Sequence, residues 1–92
     1  MLKIQLDTAK VGDAVKYWEN KTSVETAVIE EIGELLIAIS KYERHIEDKS
    51  YFDNLKEEIR DNFIGLSMLM YKHGICVSEM NSLIDEKLNA TK

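Results

Sequence analysis

Ninety-two residues carrying a net charge of −5 define a single domain, 1–92, near the lower limit of what one hydrophobic core supports. The acidic balance excludes nonspecific nucleic-acid binding, which needs basic surface to neutralise phosphate, but it admits a small anion brought in with a metal. The lone Cys76 allows no intramolecular disulfide and no zinc motif, and neither a membrane-length apolar run nor a signal-peptide pattern is present, so a cytoplasmic protein without a membrane partner is expected.

A chain of this length buries only about 60–65% of its unfolded surface, which favours oligomerisation. The absence of proline suits an all-α chain, because proline breaks helix interiors. Residues 1–7 alternate loosely and read as extended or as a helix lead-in. Asp7 or Thr8 then caps a first helix running to Glu19 or Asn20, with Ala9, Val11, Ala14, Val15 and Trp18 as its apolar positions. Thr22 with Glu25 has capping-box spacing, and Ser23 competes as cap, for a second helix over about 23–46. Its stripe is Val24, Val28, Leu35, Ile39, Tyr42 and Ile46, widened by Ile32. After the polar break at 47–50, with Asp48 or Ser50 as cap, the spacing predicts a third helix over 51–73. Its stripe is Phe52, Leu55, Ile59, Phe63, Leu66 and Met70, and Gly74 is the stop. Ile75, Met80, Leu83, Ile84 and Leu88 mark a fourth helix over 77–89, capped by Cys76 or Ser78, with residues 90–92 fraying. Short connections imply antiparallel neighbours in a four-helix bundle.

Glu30, Glu31 and Glu34 fall inside this otherwise apolar second run. With Glu31 at zero on a helical wheel, Val24, Leu35 and Tyr42 lie about 20–40° to one side and Ala27 and Ala38 about 20–40° to the other. Glu31 is therefore expected on the buried face, with Glu34 and Glu30 beyond it and the alanines leaving room. On the third run Glu58 and Asp61 share a face by their i, i+3 spacing, at the margin of the apolar stripe. In an antiparallel hairpin the two clusters stand within a few ångströms of one level if the second helix ends near Glu43, and about 7 Å apart if it reaches Ile46. Five acids brought together raise one another's pKa unless a cation compensates them. Hard carboxylate oxygens with no histidine among them point to Mg²⁺, with Mn²⁺ as a substitute. Glu43, Glu47, Glu57, Glu79 and Glu86 read as solvated.

Glu30-Glu31-x-x-Glu34 followed, after 23 intervening residues, by Glu58-x-x-Asp61 resembles the all-α nucleotide pyrophosphohydrolases of the MazG-like superfamily. The local Glu-Glu-Ile-Gly-Glu-Leu, the trailing His-Gly-Ile and the closing Glu-Lys-Leu-Asn extend the likeness over about residues 15–90. The resemblance implies Mg²⁺-dependent hydrolysis of a nucleoside triphosphate to monophosphate and pyrophosphate. It also implies a four-helix bundle completed as a homodimer or homotetramer, with sites at or near subunit interfaces. Glu30, Glu31, Glu34, Glu58 and Asp61 would hold the metal, and one of Glu30, Glu31 and Glu34 would orient or deprotonate the attacking water.

Asn62 stands where that family usually has an aliphatic residue; it could bond substrate, support a ligand or face solvent. Trp18 could stack on a base, although core or interface packing is the commoner use. Lys21, Lys41 and Lys72 are possible phosphate contacts, and Lys87 is the favoured lysine. His45 and His73 read as partners of helix C-termini, the methionines as core or interface filling, and Cys76 lacks the partners of a nucleophile. Two alternatives stay open. Phosphoribosyl-ATP pyrophosphohydrolase shares the acid pattern, but the aromatic-His signature usual after its Glu-x-x-Asp is not found here. A non-catalytic helical interaction module is the other.

Overall fold

The computed structural model describes residues 2–91. Met1 of the expected lead-in and Lys92 of the expected frayed end lie outside the described residues. Residues 2–7 form no helix, and all regular structure from there on is helical: α1 Thr8–Lys21, α2 Val24–Arg44, α3 Lys49–His73 and α4 Val77–Ala90. Among the described residues no helix is long and apolar enough to cross a membrane.

The boundaries follow from local chemistry. Asp7 caps α1 by accepting from the amides of Ala9 and Lys10. Ser23, rather than Thr22, caps α2 by accepting from Thr26 N, and Asp48 caps α3 through Ser50 N, starting that helix two residues earlier than expected. α3 ends at Gly74, whose φ of 67° is left-handed backbone that glycine adopts without a Cβ clash. Cys76 precedes α4 without a side-chain cap bond.

α2 and α3 form the hairpin, and α1 lies across it. The core is small: Val11 and Val15 of α1, Val24 and Val28 of α2 and Met68 of α3, flanked by Leu6, Ala14, Trp18 and Leu69. α1 approaches α3 closely at Gly12, where an added Cβ would stand 2.7 Å from Tyr71 Oη.

The four expected helices are present, but the bundle within one chain has three. No Cα of α4 comes within 8 Å of another helix, and none of its residues is buried. The radius of gyration, 15.1 Å, exceeds the roughly 12 Å of a compact domain of this length. Gly74 redirects the chain, and Val77, Leu83, Ile84 and Leu88 are left exposed.

The helix faces also turn out differently from the expected stripes. On α3 the buried residues are Asn62, Gly65 and Met68, whereas Phe52, Ile59, Phe63 and Leu66 are each at least 40% exposed. On α2 Ile32 and Ile39 are exposed, and Ile46 lies beyond the helix. The close α2–α3 approach uses small and polar side chains: a Cβ on Gly65 would meet Val28 Cγ2 at 3.3 Å. That approach turns the bulky residues aside. At 100° per residue, Ile32, Leu36 and Ile39 lie about 80–140° from Glu31, and Ile59, Phe63 and Leu66 about 80–140° from Glu58. In an antiparallel pair these equal rotations turn toward one side of the hairpin, with Phe63 at its margin also bordering α1.

Candidate metal centre

The buried face of α2 comprises Val24, Ala27, Val28 and Ala38, with Leu35 and Tyr42 half-buried. Glu31 stands within about 20° of its centre on the helical wheel. The face of α3 that meets it carries Glu58 between Leu55 and Asn62. α2 ends at Arg44, the shorter of the two lengths considered, so the acidic turns stand level. One carboxylate oxygen from each of Glu31, Glu34 and Glu58 lies within 4.8 Å of the other two.

This convergence is electrostatically uncompensated. Glu31 Oε2 and Glu58 Oε2 are buried and have no hydrogen-bond partner, a costly state for an anionic oxygen. Burial first, then the charges of Glu34, Asp61, Glu58 and Glu30, pushes the Glu31 carboxyl above its ordinary pKa. Burial is also the main cause of the upward shift at Glu58, followed by Glu34 and Asp61. Three hard carboxylate donors at this spacing, two of them from residues that each hold a buried unpartnered oxygen, fit a divalent cation such as Mg²⁺ or Mn²⁺.

The other two acids stand at the edge. Asp61 is half-buried and accepts from Arg60 Nε at 3.0 Å. Glu30 is exposed and lies outside the three-carboxylate group. A cavity of about 160 Å³ opens beside the cluster, lined by Trp18, Ala27, Glu31, Asp61, Ile64 and Met68. Trp18 packs against the core, the commoner of its two expected uses, and also walls the cavity next to two of the acids. A larger groove of about 590 Å³, between residues 4–7, α1 and α3, contains none of the five acids.

Asn62 turns inward rather than to solvent. It is 8% exposed, and its Nδ2 donates to Glu31 O at 3.0 Å and Glu58 O at 2.8 Å. Lys87 rides on α4, which approaches no other helix, so a single chain does not bring it to the acids. Lys72 is taken up by Glu19 and Glu25, and Lys21 lies over the Tyr17 and Trp18 rings at 5.3 and 5.8 Å. His73 pairs with Glu25 at 3.2 Å; His45 ends α2 and stacks on Tyr51. Cys76 is exposed, and its hydrogen bond with Ser78 draws the thiol pKa down.

Two residues carry roles that the sequence pattern did not single out. Arg60 pairs with the adjacent Asp61, although neighbours in a helix do not normally face each other. Glu19 accepts from Val24 N at 3.3 Å and binds Lys72, tying the start of α2 to the end of α3 across a chain separation that no local motif signals. Comparison with protein-family models, curated proteins and solved structures gives no match for this chain.

Proposed function

We propose that the chain is a Mg²⁺-dependent nucleoside triphosphate pyrophosphohydrolase of the MazG-like type, releasing nucleoside monophosphate and pyrophosphate. The observation that carries this reading is the meeting of Glu31, Glu34 and Glu58 within 4.8 Å, with two buried carboxylate oxygens left unpartnered. Glu31 and Glu58 supply those oxygens as ligands, Glu34 completes the group, and Asp61 stands beside it. A bound divalent cation supplies charge neutralisation at the phosphate oxygens. A carboxylate open to solvent, Glu34 or Glu30, orients the attacking water or takes its proton. The Trp18 ring offers a flat apolar wall for a base in the cavity next to Glu31 and Asp61.

Assembly of identical chains, as a homodimer or homotetramer, belongs to the same reading. The uncovered side of the hairpin, with Ile32, Leu36, Ile39, Ile59, Phe63 and Leu66 exposed, and the unpacked α4 support it, since contiguous apolar surface of this kind marks an interface. The same exposed face favours the second reading, a non-catalytic helical interaction module. A panel of standard and modified nucleoside triphosphates, with phosphoribosyl-ATP included, is assayed for pyrophosphate release with Mg²⁺ or Mn²⁺. Release from a nucleoside triphosphate supports the proposal; turnover of phosphoribosyl-ATP alone moves the substrate to histidine synthesis. An untouched panel, with no melting shift on adding Mg²⁺ and a nonhydrolysable triphosphate, leaves the interaction module.

A further inference from the structure

Asn62 is the one buried polar side chain among the described residues, and it sits at the seam of the acid-bearing turns. Only the NH₂ end of its amide can face two carbonyl oxygens, so its orientation is settled by its partners. One hydrogen goes back to Glu58 O in the preceding turn of α3, the other across to Glu31 O in α2. A helical carbonyl has a second lone pair beyond the one used by its own i+4 amide, so both bonds form without opening either helix. The two residues bonded through their backbones are the two whose side-chain oxygens are buried without partners. One turn further along α3, Gly65 lets that helix approach Val28 of α2, which brings the amide within reach.

An apolar side chain of similar volume would fill this place without burying a polar group, and the Glu31 and Glu58 carbonyls would keep their intrahelical amide partners. Packing alone therefore does not call for asparagine. What the amide adds is direction: it sets the axial register of α2 against α3 at the level of Glu31 and Glu58. A slide of one residue would move a carboxylate by about 1.5 Å, a large error for cation ligation. We propose that Asn62 is the positioning residue of the metal centre, holding α2 and α3 in the register that lets Glu31 and Glu58 share one cation. This rests on the reading of the acid cluster as a metal site.

The test is the affinity of the full chain for Mn²⁺ alone, measured by titration calorimetry well below the melting temperature. It compares wild type, Asn62→Leu, Asn62→Ala and, as a control in the core, Val15→Ala. Asn62→Leu keeps the volume, while Asn62→Ala only removes atoms and so guards against a misfit of leucine. Helix content by circular dichroism establishes that each variant is folded. The expected result is Mn²⁺ binding weakened about tenfold or more in both Asn62 variants, the scale of losing a group that orients metal ligands. Val15→Ala melts lower yet keeps the wild-type affinity. Affinity within twofold of wild type in a folded Asn62 variant overturns the positioning role while leaving the metal site standing. Equal weakening in Val15→Ala overturns it too, by showing that affinity merely follows stability. A wild-type chain that takes up no Mn²⁺ overturns both the positioning role and the metal site.

Discussion

Two acidic groups bridge α2 and α3, and the chain treats them in opposite ways. At the junction of the three packed helices, Glu19 and Glu25 meet Lys72, which lies 2.7 Å from Glu25 and also pairs with Glu19, while His73 stands 3.2 Å from Glu25. The Lys72 ammonium holds the Glu25 carboxyl below its ordinary pKa. Six residues along α2, about 9 Å away, Glu31 meets Glu34 and Glu58, and there the pKa values of Glu31 and Glu58 are raised. The nearest arginine in sequence, Arg60, turns to Asp61 rather than to that group. The same helix pair thus supplies a cation of its own to the acids at one end and leaves Glu31, Glu34 and Glu58 at its middle without one among the described residues. The first group is an internally neutralised clamp, and the second keeps its like charges unopposed.

Removing acids from the middle group tests this contrast most strongly. Mg²⁺ at about 100 times its dissociation constant adds roughly 2.7 kcal/mol to wild type, which in a domain of this size is a rise of about 10–20 °C in melting temperature. Glu31→Gln and Glu58→Gln each abolish most of that rise while remaining folded, because a neutral amide replaces an oxygen that had no partner to lose. Thermal melts with and without Mg²⁺ read the effect directly. A rise that survives in both variants would remove the distinction between the groups.

Breaking the clamp gives a smaller effect of a different kind. Lys72→Met leaves Glu19 and Glu25 facing each other without their cation, and the melting temperature falls by a few degrees, the loss being limited because the pairs are partly solvated. The Mg²⁺-dependent rise stays at its wild-type size, since Lys72 touches none of Glu31, Glu34 and Glu58. If Lys72→Met also erased that rise, the two groups would form one coupled network rather than two devices.

How much of this was legible in the residues differs from element to element. Helix number and limits follow from caps and punctuation: Asp7, Asp48 and Gly74 sit where their chemistry requires. The inward direction of Glu31 was legible because alanines and aliphatics flank it on the wheel. The burial pattern of α3 was not, because periodicity weights bulky apolar residues and took the Phe52–Met70 stripe for the core face. Close helix approach selects the small and polar Gly65 and Asn62 instead, and Phe52, Ile59, Phe63 and Leu66 of the bulky stripe are left on the outside of the single chain. For the same reason Asn62 read as a possible substrate contact; nothing local shows that Glu31 O, thirty-one residues earlier in the chain, lies opposite its amide. The detachment of α4 was likewise hidden, since an amphipathic pattern states that a face will be covered without saying by what.

The smallest effect concerns proton linkage, and its sign separates the two groups. A carboxyl whose pKa is raised on folding binds protons more tightly in the native state. It therefore destabilises the native state increasingly as pH climbs from the ordinary glutamate value through the raised one. Glu31 and Glu58 act in this way in metal-free protein. Glu25, Asp48 and Asp53 are shifted downward by Lys72, Ser50 and Lys49 respectively. Their contribution is present above the ordinary carboxylate range and is lost as pH falls through the lowered values. The wild-type profile sums both, so the informative quantity is the difference between Glu31→Gln and wild type. Without metal, the melting temperature of Glu31→Gln relative to wild type increases as pH rises across the window from the ordinary to the raised glutamate pKa, then levels off. With saturating Mg²⁺ the order at neutral pH reverses and wild type becomes the more stable, because the cation then supplies the charge that Lys72 supplies to Glu19 and Glu25. A difference that is flat with pH in metal-free protein would mean that neither burial nor the neighbouring acids raise the Glu31 carboxyl on folding, and the contrast between the two groups would fail at its centre.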